Sequence, residues 1–168
     1  MGYDRHTVGS FWASFGYAAH GLWWSYQNER NLRVHTVVGA FALAAGLLEH
    51  ISADHFLLLI VMLVLVISLE IVNTAVEAVT NLAHPDIHPL AGLAKDLAAA
   101  AVLWAAFGAA AVGVWVLAGR LPLLPARITA WADVTPQGLA ALAAGLTLVT
   151  VAAFVRPRHP PEEADGDH

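Results

Sequence analysis

The sequence predicts an all-α integral-membrane helical bundle, in which an N-terminal amphipathic surface helix precedes three transmembrane helices and one additional C-terminal transmembrane helix. The first observation is composition: 58% of the 168 residues are hydrophobic and 12% are charged, against roughly 45–50% and about 25% in soluble domains. The second is that four apolar stretches, with their flanks, reach the roughly 20 residues that cross a bilayer. So few charges cannot cover a soluble globule of this length.

Composition also excludes several classes of function. The net charge of −5 leaves no basic surface for DNA or RNA, so no nucleic-acid partner is expected. The chain has no cysteine, which excludes disulfide frameworks, thiol nucleophiles and cysteine metal sites. Four acidic residues lie within the last seven positions, so much of the negative charge belongs to a solvated tail.

The surface helix is predicted over residues 10–33, after a leader of residues 1–9. Aromatic and apolar side chains recur there at spacings of three and four, which places them on one helical face. These are Phe11, Phe15, Ala18, Leu22 and Tyr26. Neighbouring tryptophans favour the headgroup layer, so we expect an interfacial helix. Packing of the same stripe against the bundle as ordinary core stays open.

The spans follow in a transmembrane core of residues 34–119. They are predicted at about residues 35–48, 56–79 and 91–118, where the sequence is almost continuously apolar. A connector of residues 120–137, with Pro122, Pro125 and Trp131, suits a surface segment and leads to the additional span at residues 138–155. Prolines then prevent further helix in the Pro-rich and acidic tail of residues 156–168.

Basic residues predict the orientation of the bundle. With the amino end in the cytoplasm, six of the eight Lys and Arg residues lie on the cytoplasmic side, and only Arg120 and Arg127 lie outside. The loop between the first two spans has no Lys or Arg, as an outer loop should.

The second span carries the side chains best suited to take part in a reaction. Glu70, Asn73, Glu77 and Asn81 fall within an arc of about 80° on a helix. An intramembrane carboxylate is a functional hypothesis by default, although polar contacts between helices would also explain such a stripe. Glu70 and Glu77 lie about 10 Å apart along the axis. That separation suits one carboxylate on a metal ion and the other beside a reacting group.

Further ionisable groups are predicted at the same cytoplasmic end. They are Glu29, Arg30, Asp86, His88, Lys95 and Asp96. Carboxylates suit Mg²⁺, and a lysine provides a point charge for phosphate. No P-loop or dinucleotide-binding glycine motif is present. Taken alone, these residues fit phosphoryl transfer to a lipid and also a cation or proton path.

Five segments resemble the prokaryotic diacylglycerol kinase family, which includes the undecaprenol kinases. They are Ser14-Phe15-Gly16-Tyr17-Ala18-Ala19-His20-Gly21-Leu22, Asn28-Glu29-Arg30, Glu70-Ile71-Val72-Asn73-Thr74-Ala75-Val76-Glu77, His88-Pro89-Leu90-Ala91, and Ala94-Lys95-Asp96-Leu97-Ala98-Ala99-Ala100-Ala101-Val102-Leu103. The resemblance covers roughly residues 10 to 119.

The resemblance implies a homotrimeric lipid kinase of the bacterial cytoplasmic membrane, with composite active sites between subunits on the cytoplasmic side. It would use Mg²⁺ and ATP to phosphorylate the primary hydroxyl of a lipid alcohol. Glu70 matches the catalytic base, and Glu29 and Glu77 match the metal-binding carboxylates. The other active-site residues implied are Asn73, Lys95 and Asp96. The residues implied to contact ATP are Tyr17, Glu29, Glu77, Asp86, Ile87, His88, Lys95 and Asp96.

Some positions depart from the family pattern. Ser10 and Phe11 stand where a basic residue is usual, His20 where lysine is frequent, and Asn81 where aspartate is frequent. The additional span and the tail lie outside the pattern. The His-Pro-Leu-Ala stretch favours undecaprenol as the lipid, with diacylglycerol as the alternative. A non-enzymatic oligomer that conducts ions or protons is the alternative of another class.

Overall fold

The computed structural model describes residues 11–83 and 88–155, and these are helical almost throughout. Six α-helices follow one another, with a single 3₁₀ turn at Leu121–Leu123. They are α1 (Phe11–Asn28), α2 (Arg30–Leu48), α3 (Ala53–Ala83), α4 (Pro89–Leu117), α5 (Leu124–Val134) and α6 (Pro136–Phe154). Four of them, α2, α3, α4 and α6, are long and apolar enough to cross a membrane. The predicted all-α membrane bundle, including its additional C-terminal helix, is therefore confirmed.

The surface helix ends earlier than the sequence indicates. We expected it to reach residue 33, but α1 stops at Asn28 and Glu29 has an extended backbone, with φ −94° and ψ 114°. Arg33 stabilises this break, because its Nη1 donates to the carbonyl oxygens of Tyr26 at 3.1 Å and Gln27 at 2.7 Å. Carbonyls at a helix carboxyl end lack intrahelical partners and take such donors. The break makes Glu29 the N-cap residue of α2.

The aromatic face of α1 is exposed in the single chain. Phe15 and Leu22 of this face present about half of their surface or more, as do the neighbouring Trp23 and Trp24, whereas Tyr26 is partly buried. Most of this face therefore lies outside the core of one chain. The interfacial position of α1 stays a prediction.

A tight turn joins α2 to α3, and we call it the outer turn because the sequence predicts it on the outer side of the membrane. His50 has a positive φ of 48°, and the amide of Ile51 donates to the carbonyl of Gly46 while that of His50 donates to Leu47. This is the hydrogen-bond pattern of a Schellman cap, which needs one left-handed residue. The turn reverses the chain within a few residues, so α3 packs back along α2.

Helix α3 is the centre of the core and packs against both α2 and α4. A Cβ on Gly39 of α2 would collide with the side chain of Leu63, so the missing side chain permits close approach of the two helices. Leu59 forms a buried cluster with Val116 and Leu117 near the outer turn. Elsewhere large apolar side chains face outward, as Trp104 does with 77% of its surface exposed. Outward apolar surface suits a lipid environment.

The connector contains a helix that the sequence did not reveal. We expected residues 120–137 to form a surface segment, and the structure places α5 within it. Helix α5 is fastened to the outer turn, because Trp131 Nε1 donates to His50 Nε2 at 3.2 Å and Arg127 lies 3.7 Å from the Glu49 carboxylate. Helix α6 then packs along α2. Both helices of the added segment thus contact α2.

Candidate functional site

The polar stripe on α3 passes from a buried end to an exposed end. Glu70 has only 2% of its surface exposed, Asn73 and Glu77 are half-buried, and Asn81 is exposed. Asn73 Nδ2 donates to Glu77 Oε1 at 3.1 Å, as their spacing of four residues allows. The stripe therefore combines a carboxylate enclosed by protein with a second carboxylate nearer the helix end, held by an amide.

Glu70 is buried, and His35 of α2 approaches its carboxylate. His35 Nε2 lies 3.2 Å from Glu70 Oε1, yet this oxygen accepts no well-formed hydrogen bond from the described residues. Buried acceptors without a partner are rare in folded proteins because leaving one unsatisfied costs free energy. Glu70 Oε1 is therefore positioned to accept a hydrogen bond from a ligand.

His35 is the member of this site that sequence reasoning missed. The first span is predicted to begin at about residue 35, which places His35 at the helix boundary. Because α2 begins at Arg30, His35 lies more than one turn inside the helix. An ionisable residue within a membrane helix is the signal that would have found it.

Glu29 joins the site from the break between α1 and α2. Burial raises the pKa of Glu29 above its ordinary value, and the Glu77 carboxylate raises it further, while Arg33 lowers it. Glu70 interacts electrostatically with both of these carboxylates. The structure therefore brings the predicted metal-binding Glu29 to the predicted base and the second predicted metal-binding residue, which share α3.

This donor set fits a magnesium ion that arrives with a phosphate. Among the described residues, no group of three or more His, Asp or Glu side chains is arranged to hold a metal by itself. Mg²⁺ typically uses one or two carboxylates and takes its other ligands from water and substrate phosphates. Glu29 and Glu77 provide two such carboxylates, and a cation between them would relieve their repulsion.

Lys95 and Asp96 occupy the first turns of α4. Lys95 Nζ donates to Asn81 Oδ1 at 2.6 Å, so the lysine meets the stripe one turn beyond Glu77. Asp96 is exposed on the single chain. Lys95 thus contacts Asn81, one turn beyond Glu77, and the expected convergence of Lys95 and Asp96 on Glu77 stays a prediction.

Four of the residues predicted to contact ATP lie outside the carboxylate cluster in sequence, and the structure describes two of them, Tyr17 and His88. Asp86 and Ile87 lie outside the described residues. His88 is the N-cap of α4, where its Nδ1 accepts a hydrogen bond from the amide of Leu90 at 3.2 Å. Tyr17 is half-exposed on α1. The roles of these residues toward ATP stay predictions.

Comparison with known proteins agrees with this arrangement. The family model described as Prokaryotic diacylglycerol kinase matches residues 16–117, which run from α1 to the end of α4. The chain is 42% identical over 101 residues to a diacylglycerol kinase of Synechocystis, covering 60% of this chain and 58% of that protein. It thus spans a little over half of that relative's length.

Other relatives carry both family names. The chain is 32% identical over 117 residues to an undecaprenol kinase of Bacillus subtilis, covering 70% of this chain and 95% of that protein. It is 36% identical over 88 residues to a diacylglycerol kinase of Escherichia coli K12, covering 52% and 72%. No solved structure matches the chain. The family match over more than half of its length, together with these relatives, shows that the chain belongs to the prokaryotic diacylglycerol kinase family.

Proposed function

We propose that this protein transfers the γ-phosphoryl group of ATP to the primary hydroxyl of a membrane lipid. The observation that carries the proposal is the buried Glu70, which has an unpartnered oxygen and lies beside the Glu29 and Glu77 carboxylates. A base enclosed by apolar helices, next to a pair of carboxylates suited to Mg²⁺, is the arrangement that phosphorylation of a membrane alcohol requires.

Each residue of the site has a role in this reaction. Glu70 accepts the proton of the lipid hydroxyl as the hydroxyl oxygen forms its bond to the γ-phosphorus. The bond between that phosphorus and the β,γ-bridging oxygen breaks, and ADP leaves. Glu29 and Glu77 would hold the magnesium ion, and Asn73 keeps the Glu77 carboxylate in place through the 3.1 Å hydrogen bond. When bound, Mg²⁺ neutralises charge on the phosphoryl oxygens.

Lys95 and Asp96 complete the proposed nucleotide site. The Lys95 ammonium, held by Asn81, would neutralise phosphate charge. Asp96, Tyr17 and the stretch Asp86-Ile87-His88 would contact ATP. Because Asp96 is exposed on one chain, its use in the site favours a composite active site completed by a second subunit. We therefore propose a homotrimer with its sites on the cytoplasmic side of the bacterial membrane.

Undecaprenol is the lipid we propose, with diacylglycerol as the second candidate. The relative named undecaprenol kinase is matched over 95% of its length, and the His-Pro-Leu-Ala stretch starting at His88 favours that branch. The relative with the higher identity is named a diacylglycerol kinase. Both lipids present a primary hydroxyl to the same base, so the chemistry is common to them.

The alternative of another class is an oligomer that conducts ions or protons. Polar or ionisable groups within the membrane mark such paths, and chains of them form proton relays. In α3 the residues from Phe56 to Ile67 are all apolar, so the polar stripe ends at Glu70. This favours a reaction site at one membrane face over a conduction path.

The experiment is a phosphoryl transfer assay in detergent micelles. Purified protein with Mg²⁺ and γ-labelled ATP is given undecaprenol or diacylglycerol, and labelled lipid is separated by chromatography. We expect labelled undecaprenyl phosphate. Absence of label on either lipid, from protein with intact helical circular dichroism, would refute the kinase function.

A further inference from the structure

The break between α1 and α2 determines where the Glu29 carboxylate lies. Glu29 is the N-cap residue of α2, yet its side chain makes no capping hydrogen bond to the first turn of that helix. A carboxylate at this position usually caps the amides that follow it. The orientation of the Glu29 carboxylate therefore depends on the backbone at the break and not on a local bond of its own.

Arg33 replaces the backbone hydrogen bonds that the break removes. In a continuous helix the carbonyls of Tyr26 and Gln27 would accept from the amides of residues 30 and 31. Here both carbonyls accept from Nη1 of Arg33, at 3.1 and 2.7 Å. One guanidinium group thus occupies the acceptors through which α1 and α2 would otherwise join into a single helix.

The carboxyl end of α6 lies beside this guanidinium. A cavity of about 290 Å³ separates α6 from the break. Its lining residues are Trp23, Tyr26 and Gln27 of α1, Arg33 of α2, and Leu148, Val151, Ala152, Ala153 and Val155 at the end of α6. Every residue that α6 contributes is apolar, and hydrogen bonds are stronger in such surroundings than in water. Ala153 is also the buried residue of α6, so this helix is most enclosed at the same end.

We propose that α6 positions the Glu29 carboxylate by enclosing Arg33, which holds the break open. The inference rests on the proposed kinase function, in which Glu29 holds magnesium, and it makes Arg33 a positioning residue for that metal site. Helix α6 lies beyond residues 16–117, which the family model matches. The added helix would therefore set the geometry of a carboxylate that belongs to the family core.

A carboxylate introduced from α6 would compete for the guanidinium. Val151→Glu places one in the cavity, and charge-assisted hydrogen bonds are about twice as strong as neutral ones. Arg33 would then leave the two carbonyls of α1. Val151→Gln has the same length without the charge and should act in the same direction more weakly, which keeps the test open where the charge prevents folding. Phe154→Glu is the matched control, because it adds the same carboxylate to the end of α6 at an exposed position that does not line the cavity.

The sign of the effect separates positioning from electrostatics. The positive charge of Arg33 lowers the pKa of Glu29, so this charge alone opposes a cation at that carboxylate. Both Val151→Glu and Arg33→Met make the site more negative. A purely electrostatic role predicts tighter metal binding by these two variants, and a positioning role predicts weaker binding.

The experiment measures metal binding directly, with Mn²⁺ as a paramagnetic substitute for Mg²⁺. The full-length protein in micelles is titrated in the presence of a non-hydrolysable ATP analogue, and free Mn²⁺ is measured by electron paramagnetic resonance. We expect Val151→Glu and Arg33→Met each to raise the half-saturating Mn²⁺ concentration about tenfold, and Arg33→Lys to recover part of the loss. The double variant should show no further rise, since both changes act on one contact. Phe154→Glu should match the wild type.

Two results would overturn the inference. Equal Mn²⁺ affinity of Val151→Glu, Val151→Gln and Phe154→Glu would show that α6 does not act on Arg33. A rise of about a hundredfold in the double variant would show that α6 and Arg33 act independently. Lipid phosphorylation is measured separately on the same proteins. Wild type that shows the expected Mn²⁺ pattern but phosphorylates no lipid would refute the kinase function and leave the positioning by α6 standing.

Discussion

Glu70→Gln isolates the chemical step from the fold. The substitution keeps the size and shape of the side chain and removes its negative charge and its capacity to accept a proton. The buried position of Glu70, with 2% of its surface exposed, means that water cannot readily replace it as base. Loss of a general base typically lowers kcat by about 10²–10⁴, which corresponds to about 3 to 5 kcal/mol of transition-state stabilisation.

The structure also predicts that this variant folds and binds nucleotide. Removing the Glu70 charge relieves its electrostatic interaction with Glu29 and Glu77, so the free energy of unfolding should not fall. The assay is initial-rate lipid phosphorylation in micelles, with the KM for ATP measured in the same series.

Asp54→Asn provides the matched control for this variant. It makes the same carboxylate-to-amide change in the first turn of α3, at an exposed position far from the site, and should keep wild-type kcat. A Glu70→Gln variant with kcat within tenfold of wild type would refute the assignment of Glu70 as the base.

Four further predictions concern individual side chains. Glu77→Gln removes one proposed metal carboxylate and should raise the Mg²⁺ concentration for half-maximal rate about tenfold or more, measured by Mg²⁺ titration. Glu29→Gln should lower turnover yet raise the free energy of unfolding at neutral pH. The reason is that the pKa of Glu29 is raised in the folded protein, so its stabilising contribution is present in acid and is lost as pH rises through the folded pKa. Lys95→Met should raise the KM for ATP about tenfold through loss of a charge-assisted contact, measured by ATP titration. Trp131→Phe removes the donor to His50 and should cost about 1 kcal/mol of stability, measured by denaturant titration, with kcat unchanged.

Each of these has a contradicting result. An unchanged Mg²⁺ requirement would show that Glu77 does not bind the metal. A Glu29→Gln variant less stable than wild type at neutral pH would contradict the electrostatic repulsion between Glu29 and Glu77. An unchanged KM for ATP would place Lys95 outside the nucleotide site. A loss of kcat in Trp131→Phe would show that α5 acts on the site and not only on stability.

The number of membrane-length helices could be predicted from the sequence, because such spans depend on length and apolarity. The same is true of the stripe on α3, since Glu70, Asn73 and Glu77 share a face at any regular helical geometry. Four membrane-length helices and the Asn73 to Glu77 hydrogen bond follow from these local rules.

Three features could not be predicted from the sequence, because they depend on contacts between different segments of the chain. The break at Glu29 is stabilised by hydrogen bonds from Arg33 to the carbonyl oxygens of Tyr26 and Gln27. A hydropathy pattern contains no information about such bonds. His35 is recognised as part of the site only because its Nε2 lies 3.2 Å from Glu70 Oε1. Helix α5 is short, and its position depends on the outer turn, where His50 accepts a hydrogen bond from Trp131.

The central claim is that a buried carboxylate on α3 drives phosphoryl transfer to a lipid hydroxyl. The most direct measurement is the transfer of label from γ-labelled ATP to undecaprenol in micelles, by wild type and by Glu70→Gln in parallel. We expect one labelled phosphate per lipid product with wild type and a rate about 10²–10⁴ lower with the variant. Equal labelling by both proteins, or no labelled lipid from folded wild type with Mg²⁺, would contradict the claim.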